Sequence, residues 1–292
     1  MPGPAAFAGA ASARGRLSST AEPARSGPSA WPRAAAAPGD PRQQGWSDPG
    51  ERAAVASVTP EVAGQPILDI GIGGGRTTAL LRRLGGEYVG LAATAPAVEA
   101  CRSAHPDLRF EQMDPRDLQR LPAGHFALAV FASRGIDALP AADRAHVLAE
   151  VHRVLRPGGL FIVSAHHRPG PGTRARPGLP LPARTQALLL GRRLAQQLRG
   201  LPRSAGPYPG WQRAGDRGDD TLVRSGSPMG AAAPMVHMPL AEQRRQLADA
   251  GFIVEAVLDN VRGAEVAGNA APDDAAWFHY VARKVAPVSA GG

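Results

Sequence analysis

Ile67-Leu68-Asp69-Ile70-Gly71-Ile72-Gly73-Gly74-Gly75-Arg76-Thr77 reads as a buried strand that runs into a glycine turn and out into a helix. Glycine admits positive φ without steric penalty and leaves room for a ligand where a Cβ would stand. The unpaired N–H groups of the helix that follows favour negative charge. Two common cofactor classes do not fit the spacing. A dinucleotide fingerprint needs glycines at 71, 73 and 76, and position 76 is Arg. A phosphate-binding P-loop needs Gly-Lys-Ser/Thr, which is absent. What stands here is acidic-x-Gly-x-Gly-x-Gly, from Asp69, Gly71, Gly73 and Gly75. A carboxylate at the strand end suits a cofactor with a cationic amine and repels a pyrophosphate.

Outward from this loop, short apolar runs alternate with helical patterns. Strands are expected at 66–70, 88–91, 108–112, 127–131 and 159–164, with helices at 77–84, 95–103 and 141–155 between them. Upstream, Ser47-Asp48-Pro49-Gly50-Glu51 offers a capping side chain and a first-turn acid for another helix. Downstream, a helix at 239–250 stopped by Gly251 precedes strands at 252–259 and 277–283. Near-continuous apolar strands alternating with helices imply an α/β fold whose parallel sheet is covered on both faces.

Two stretches fall outside this pattern. Residues 1–45 are Ala/Pro/Arg-rich, lack periodicity and are expected to be disordered. Residues 168–235 form an Arg/Pro/Gly-rich insert in a domain that otherwise spans 46–292. Within it, 185–201 has amphipathic helical spacing, read as a lid over a substrate pocket, with a membrane surface or partner as the alternative. The net charge of +8 sits in these stretches: the tail carries five Arg against Glu22 and Asp40, and the insert eleven Arg against three Asp. The predicted core is therefore mildly acidic, and nucleic acid is not the expected partner. Lys284 is the only lysine, so the Arg excess looks compositional. A single cysteine, Cys101, excludes an internal disulfide and a thiolate zinc site, and its expected place is a partly buried apolar position. No apolar run is long enough to span a membrane, and the expected setting is cytoplasmic.

The motifs in order resemble class I S-adenosylmethionine-dependent methyltransferases, of the small-molecule, ubiquinone/menaquinone-methylase-like type. The likeness covers 46–167 and resumes at 239–284. Asp69-x-Gly71-x-Gly73-x-Gly75 looks like the family's first motif, and Leu155-Arg156-Pro157-Gly158-Gly159 resembles its turn into strand five. Met113-Asp114 closes strand three, where the family places an acid near the adenine amine. Leu247–Phe252 and Trp277–Lys284 resemble its last helix and antiparallel hairpin. The resemblance implies a Rossmann-like, doubly wound sheet of seven strands, the last antiparallel, with helices on both faces. It implies S-adenosylmethionine as cofactor, its methionine part held by the backbone of Gly71, Ile72, Gly73 and Gly75. Asp69 would orient this loop and, directly or through water, the ammonium; Met113 and Asp114 would meet the adenine, and Ser133 the junction of cofactor and acceptor.

The match fails at one place. The family's ribose-binding acid at the end of strand two is Ala92 here, in Gly90-Leu91-Ala92-Ala93-Thr94. Neither Glu87, at the opposite end of that strand, nor Glu99, inside the next helix, replaces it. A non-catalytic relative with a weakened cofactor site is therefore a second reading, and an RNA methyltransferase using the basic segments a third. Methyl transfer needs alignment and removal of one proton. His166 and His167, just past strand five, are the candidate bases, with His237 a weaker one and no metal site expected.

Overall fold

The computed structural model describes residues 45–132, 135–167, 222–225 and 234–285. Nine strands are found among them: β1 Ile67–Ile70, β2 Tyr88–Ala92, β3 Arg109–Gln112, β4 Phe126–Phe131, β5 Leu155–His166, β6 Leu222–Ser225, β7 Pro234–His237, β8 Phe252–Asp259 and β9 Trp277–Lys284. The helices are α1 Pro49–Val62, α2 Thr78–Leu81, α3 Ala95–Ala104, α4 Ala141–Val154 and, numbered in sequence, α5 Leu240–Asp249. Seven strands form one sheet in the order β3-β2-β1-β4-β5-β9-β8. β1 to β5 are mutually parallel, and β9 alone runs antiparallel to its neighbours β5 and β8. This is the doubly wound, Rossmann-like sheet of seven strands, the last antiparallel, that the resemblance implied.

Both faces are covered, as parallel strands require. One cluster holds Ile70, Leu91, Phe131 and Phe161 with Val147 and Val151 of α4 and Leu247 of α5. The other holds Ile67, Tyr88, Leu128 and Ile162 with Val55 and Val58 of α1 and Val98 and Cys101 of α3. Cys101 is fully buried. Helix α1 starts where Asp48 caps it, its carboxylate accepting from the Glu51 N–H at 2.8 Å. Strand order reverses between β1 and β4, so the carboxyl ends of those strands open the crevice in which doubly wound sheets hold ligands.

Three differences from the expectations have physical reasons. The helix expected at 77–84 is one α turn, Thr78–Leu81, followed by a 3-10 turn over Arg82–Leu84 that Gly85 ends with φ +74°. So short a helix has little macrodipole, and the loop's capacity for a ligand rests on its glycines rather than on a helix terminus. β5 begins at Leu155, not 159, because the Leu155-Arg156-Pro157-Gly158-Gly159 turn is itself a bulge in the ladder to β4. An antiparallel strand pair, β6 within the insert and β7 across its end, was concealed by the Arg/Pro/Gly composition. The tail expected over 1–45 lies, up to residue 44, outside the described residues, as do Ser133 and the helix expected at 185–201.

Candidate functional site

The glycine loop leaves β1 at the carboxyl edge with Gly71, Gly73 and Gly75 all at positive φ (71°, 56° and 82°). Two of these positions show why. A Cβ on Gly71 would stand 3.0 Å from the Phe131 ring at the end of β4, so the loop lies flat on that ring. A Cβ on Gly73 would meet nothing within 4 Å, so Gly73 is the open floor of the cradle. The Gly71 and Ile72 N–H groups both donate to the Leu91 carbonyl, at 2.9 and 3.0 Å, which ties the loop to β2. A cofactor reaching this loop meets backbone at Gly73, not side chain.

Asp69 lies beneath the loop, fully buried. Its Oδ2 accepts from Thr77 Oγ1 at 2.7 Å and from the Tyr88 hydroxyl at 2.8 Å, while Oδ1 has no partner. Burial is the main reason its carboxyl is pushed up to about 6, against the two hydroxyl bonds that lower it. Asp69 thus anchors the loop from below. The sequence pattern singled out Asp69 but not Tyr88 or Thr77, whose hydroxyls it uses.

The loop is also clamped from the N-terminal side. Arg76 makes a two-pronged pair with the buried Glu51 of α1, at 2.5 and 2.6 Å, and lies 5.6 Å from the centre of the Trp46 ring. Planar, two-point pairing of this kind fixes orientation as well as charge. Asp48, the α1 cap, accepts from Trp277 Nε1 at 3.0 Å. Residues 46–51 therefore span from the glycine loop to β9.

At the ends of β2 and β3, Ala92 is buried and its carbonyl accepts from the Met113 N–H at 3.0 Å. Met113 is itself buried, and Asp114 follows it half-exposed. Arg116 holds Asp114 through Nε and Nη2 and reaches Asp143 of α4 with Nη1 at 2.9 Å. Asp114 is thus braced on α4 by an arginine that no motif of the sequence marks. No acid stands at position 92, as the sequence already indicated; Glu99 is exposed, and Glu87 faces His125 at 3.0 Å.

The carboxyl edge of β4 and β5 carries a second group. Beyond β4 a 3-10 turn, Gly135–Ala138, bears Asp137, which is fully buried. Gly135 sits so close to Phe131 that a Cβ would be 2.3 Å from the ring, so the same ring seats this turn and the glycine loop. Asp137 Oδ2 lies 2.7 Å from the His166 N–H and 2.9 Å from His166 Nδ1. Its Oδ1 lies 3.3 Å from Arg144 Nη1 of α4, and Arg144 in turn donates to Gln243 of α5 at 2.6 Å. The His166 ring stacks on His237 of β7 with centroids 4.5 Å apart, and Trp277 meets it edge-on at 6.3 Å. His167 faces the other way: its ring packs on Phe278, its Nδ1 is buried without a partner, and burial pushes it below its ordinary value. The structure therefore brings His166 and His237 together and sets His167 apart.

Asp137 and Arg144 were not found from the sequence, though Arg144 left a signal. It falls three, four and seven residues before Val147, Leu148 and Val151, on the apolar stripe of α4 where a charge needs a partner. Asp137 sits alone in the apolar text Ile136-Asp137-Ala138-Leu139 just past a strand end.

Comparison with known proteins agrees with this geometry. Residues 67–159 match the family described as a methyltransferase domain. An uncharacterized methyltransferase of Synechocystis sp. is 35% identical over 106 residues, 36% of this chain and 49% of that protein. A fatty-acid O-methyltransferase of Mycolicibacterium smegmatis is 30% identical over 139 residues, 44% of this chain and 43% of that protein. The chain thus spans under half the length of these curated relatives. Among solved structures, the 1,6-didemethyltoxoflavin-N1-methyltransferase of Burkholderia thailandensis, with 1,6-didemethyltoxoflavin and S-adenosylhomocysteine bound, superposes with a TM-score of 0.51 at 15% identity. That match covers 81% of this chain and 79% of the other, and at such identity it shows the fold. Glycine loop, sheet order and comparisons agree: residues 67–159 are similar to a methyltransferase domain, on a Rossmann-like fold.

Proposed function

We propose that this chain is an S-adenosylmethionine-dependent methyltransferase acting on a small-molecule acceptor. The observation that carries the proposal is the glycine loop: three left-handed glycines at the switch point of the sheet, seated on Phe131 and open at Gly73. The residues present fit S-adenosylmethionine in charge as well as shape. The cradle has an acid beneath it, no P-loop lysine, and backbone rather than side chain at its floor. When bound, the cofactor supplies a methyl group made electrophilic by its sulfonium. In this reading the backbone at Gly71, Ile72, Gly73 and Gly75 holds the methionine part, Asp69 fixes the loop, and Met113 with Asp114 borders the adenine. Ser133 keeps its proposed place at the junction with the acceptor.

The acceptor side is assigned to His166. While the bound cofactor would supply the methyl group, His166 would take the proton that the acceptor's nucleophilic atom gives up. His167, packed on Phe278, is given a structural role instead. A small acceptor is supported by the curated relative that methylates fatty acids and by the neighbour that holds 1,6-didemethyltoxoflavin. The test is release of S-adenosylhomocysteine from S-adenosylmethionine across a panel of small phenols, carboxylic acids and heteroaromatic amines. The reading predicts turnover that Gly73→Arg abolishes. Equal turnover in that variant would show the activity to come from elsewhere.

A further inference from the structure

Asp137 has an arrangement of partners that the fold alone does not require. It is fully buried and offers four lone-pair sites on two oxygens. One oxygen faces the buried guanidinium of Arg144, and the other takes both the backbone N–H and the ring Nδ1 of a single residue, His166. As a carboxylate paired with arginine, Asp137 can only accept. The Nδ1 of His166 must therefore be the protonated nitrogen, and in the neutral ring the bare, basic nitrogen is Nε2. The two bonds from one residue to one oxygen also fix the ring's angle, and His237 stacked at 4.5 Å limits its rotation.

From this geometry we infer that Asp137 is a positioning residue: it locks His166 as the Nδ1–H tautomer with Nε2 bare, and is itself held by Arg144 and, through it, by Gln243 of α5. The inference rests on the assignment of His166 as the acceptor-side base. It goes beyond that assignment by saying which nitrogen takes the proton and what makes it available. An asparagine at 137 is isosteric but has one accepting oxygen where three donors now converge. Arg144, buried and donor-only, claims that oxygen, and the amide N–H groups then face His166. A ring offered a donor at Nδ1 adopts the opposite tautomer, and Nε2 ceases to be basic.

The test is ¹⁵N NMR of the imidazole-labelled full chain, with the His166 resonances assigned by comparison with His166→Gln. At a pH where the ring is neutral, the wild type should show Nδ1 protonated and Nε2 bare. Asp137→Asn should reverse or mix the two. In parallel, carbethoxylation of His166 by diethyl pyrocarbonate, followed by peptide mapping, should slow at least several-fold in Asp137→Asn, with His146 as an internal reference. An Nε2–H tautomer in the wild type would overturn the inference, and that reading does not depend on Asp137→Asn folding. An unchanged tautomer and unchanged modification rate in Asp137→Asn would overturn it as well. S-adenosylhomocysteine affinity of the same variant separates the two claims. Affinity within threefold of wild type leaves the methyltransferase reading standing whatever the tautomer shows, whereas absence of binding in the wild type sinks that reading by itself.

Discussion

The two halves of the crevice are made of different material. The half at β1 and β2 is backbone: a loop of left-handed glycines, carbonyls and N–H groups, with one buried acid beneath. The half at β4, β5 and α5 is side chain: Asp137, Arg144, Gln243 and two stacked imidazoles drawn from five separate stretches of sequence. A backbone site depends on which residues can be absent, since a Cβ would fill it. A side-chain site depends on buried charges satisfying one another. The first should fail in binding while the fold survives, and the second should fail in stability before it fails in binding.

Gly73→Arg should break the comparison on its loop side with the largest effect on binding. Nothing lies within 4 Å of the added Cβ, so the fold has room for it, and the left-handed backbone adds only roughly 1–2 kcal/mol of strain. Calorimetry should find no S-adenosylhomocysteine binding in a protein that still melts cooperatively. Loss of the cooperative melt would show that the loop carries the fold as well as the ligand.

Arg144→Met should break it on the other side. Removing one partner of a buried pair leaves Asp137 uncompensated, which costs about 3–5 kcal/mol. Denaturant melts should show that loss while S-adenosylhomocysteine affinity, measured below the transition, stays near wild type. A neutral effect on stability would mean that the pair is dispensable and that α4 and α5 are held by apolar packing alone.

Asp69 sharpens the comparison because it is a charge within the backbone half. Its carboxyl is pushed up to about 6, chiefly by burial, against 3.8 for an unperturbed group. The folded chain therefore holds this proton more tightly than the unfolded chain does. Stability is greatest below the unfolded value and falls as pH rises from near 4 through about 6. At about 1.4 kcal/mol for each tenfold in proton affinity, the loss is roughly 3 kcal/mol. Ligand-free Asp69→Asn should lack this slope in a pH series of melts. A slope identical to wild type would place the titration on another group.

The smallest expected effect belongs to Ala92→Asp. A restored carboxylate accepting from ribose should tighten S-adenosylhomocysteine binding by about tenfold, the equivalent of one charged hydrogen bond of about 1.5 kcal/mol. Because Ala92 is buried among apolar neighbours, the ligand-free variant should melt lower than wild type. Tighter binding with a lower melt supports ribose at this strand end. Unchanged affinity means that position 92 does not face it.

The same contrast explains what was legible in the sequence. Glycine spacing, strand–helix alternation and the Pro157-Gly158-Gly159 turn are local patterns, and each found its place in the sheet. Local text also singled out Asp69, and the resemblance made Ala92 stand out. The side-chain half could not be read in this way, because its parts meet only through the topology: His237 arrives on a strand that crosses the end of the Arg/Pro/Gly-rich insert, and Gln243 on a helix 99 residues after Arg144. Choosing between His166 and His167 was not possible from adjacent identical letters. Strand alternation puts them on opposite sides, and only Asp137 distinguishes them. The length of the second helix was misread for a related reason, since Gly85 ends it after a tightened turn that apolar periodicity does not register.

Calorimetric titration of the full chain with S-adenosylhomocysteine tests the central claim most directly, the claim that the glycine loop is a working cofactor site despite Ala92. The account predicts saturable binding with one site per chain, present in wild type and absent in Gly73→Arg. No binding heat at any temperature, from a protein whose cooperative melt proves it folded, would contradict it.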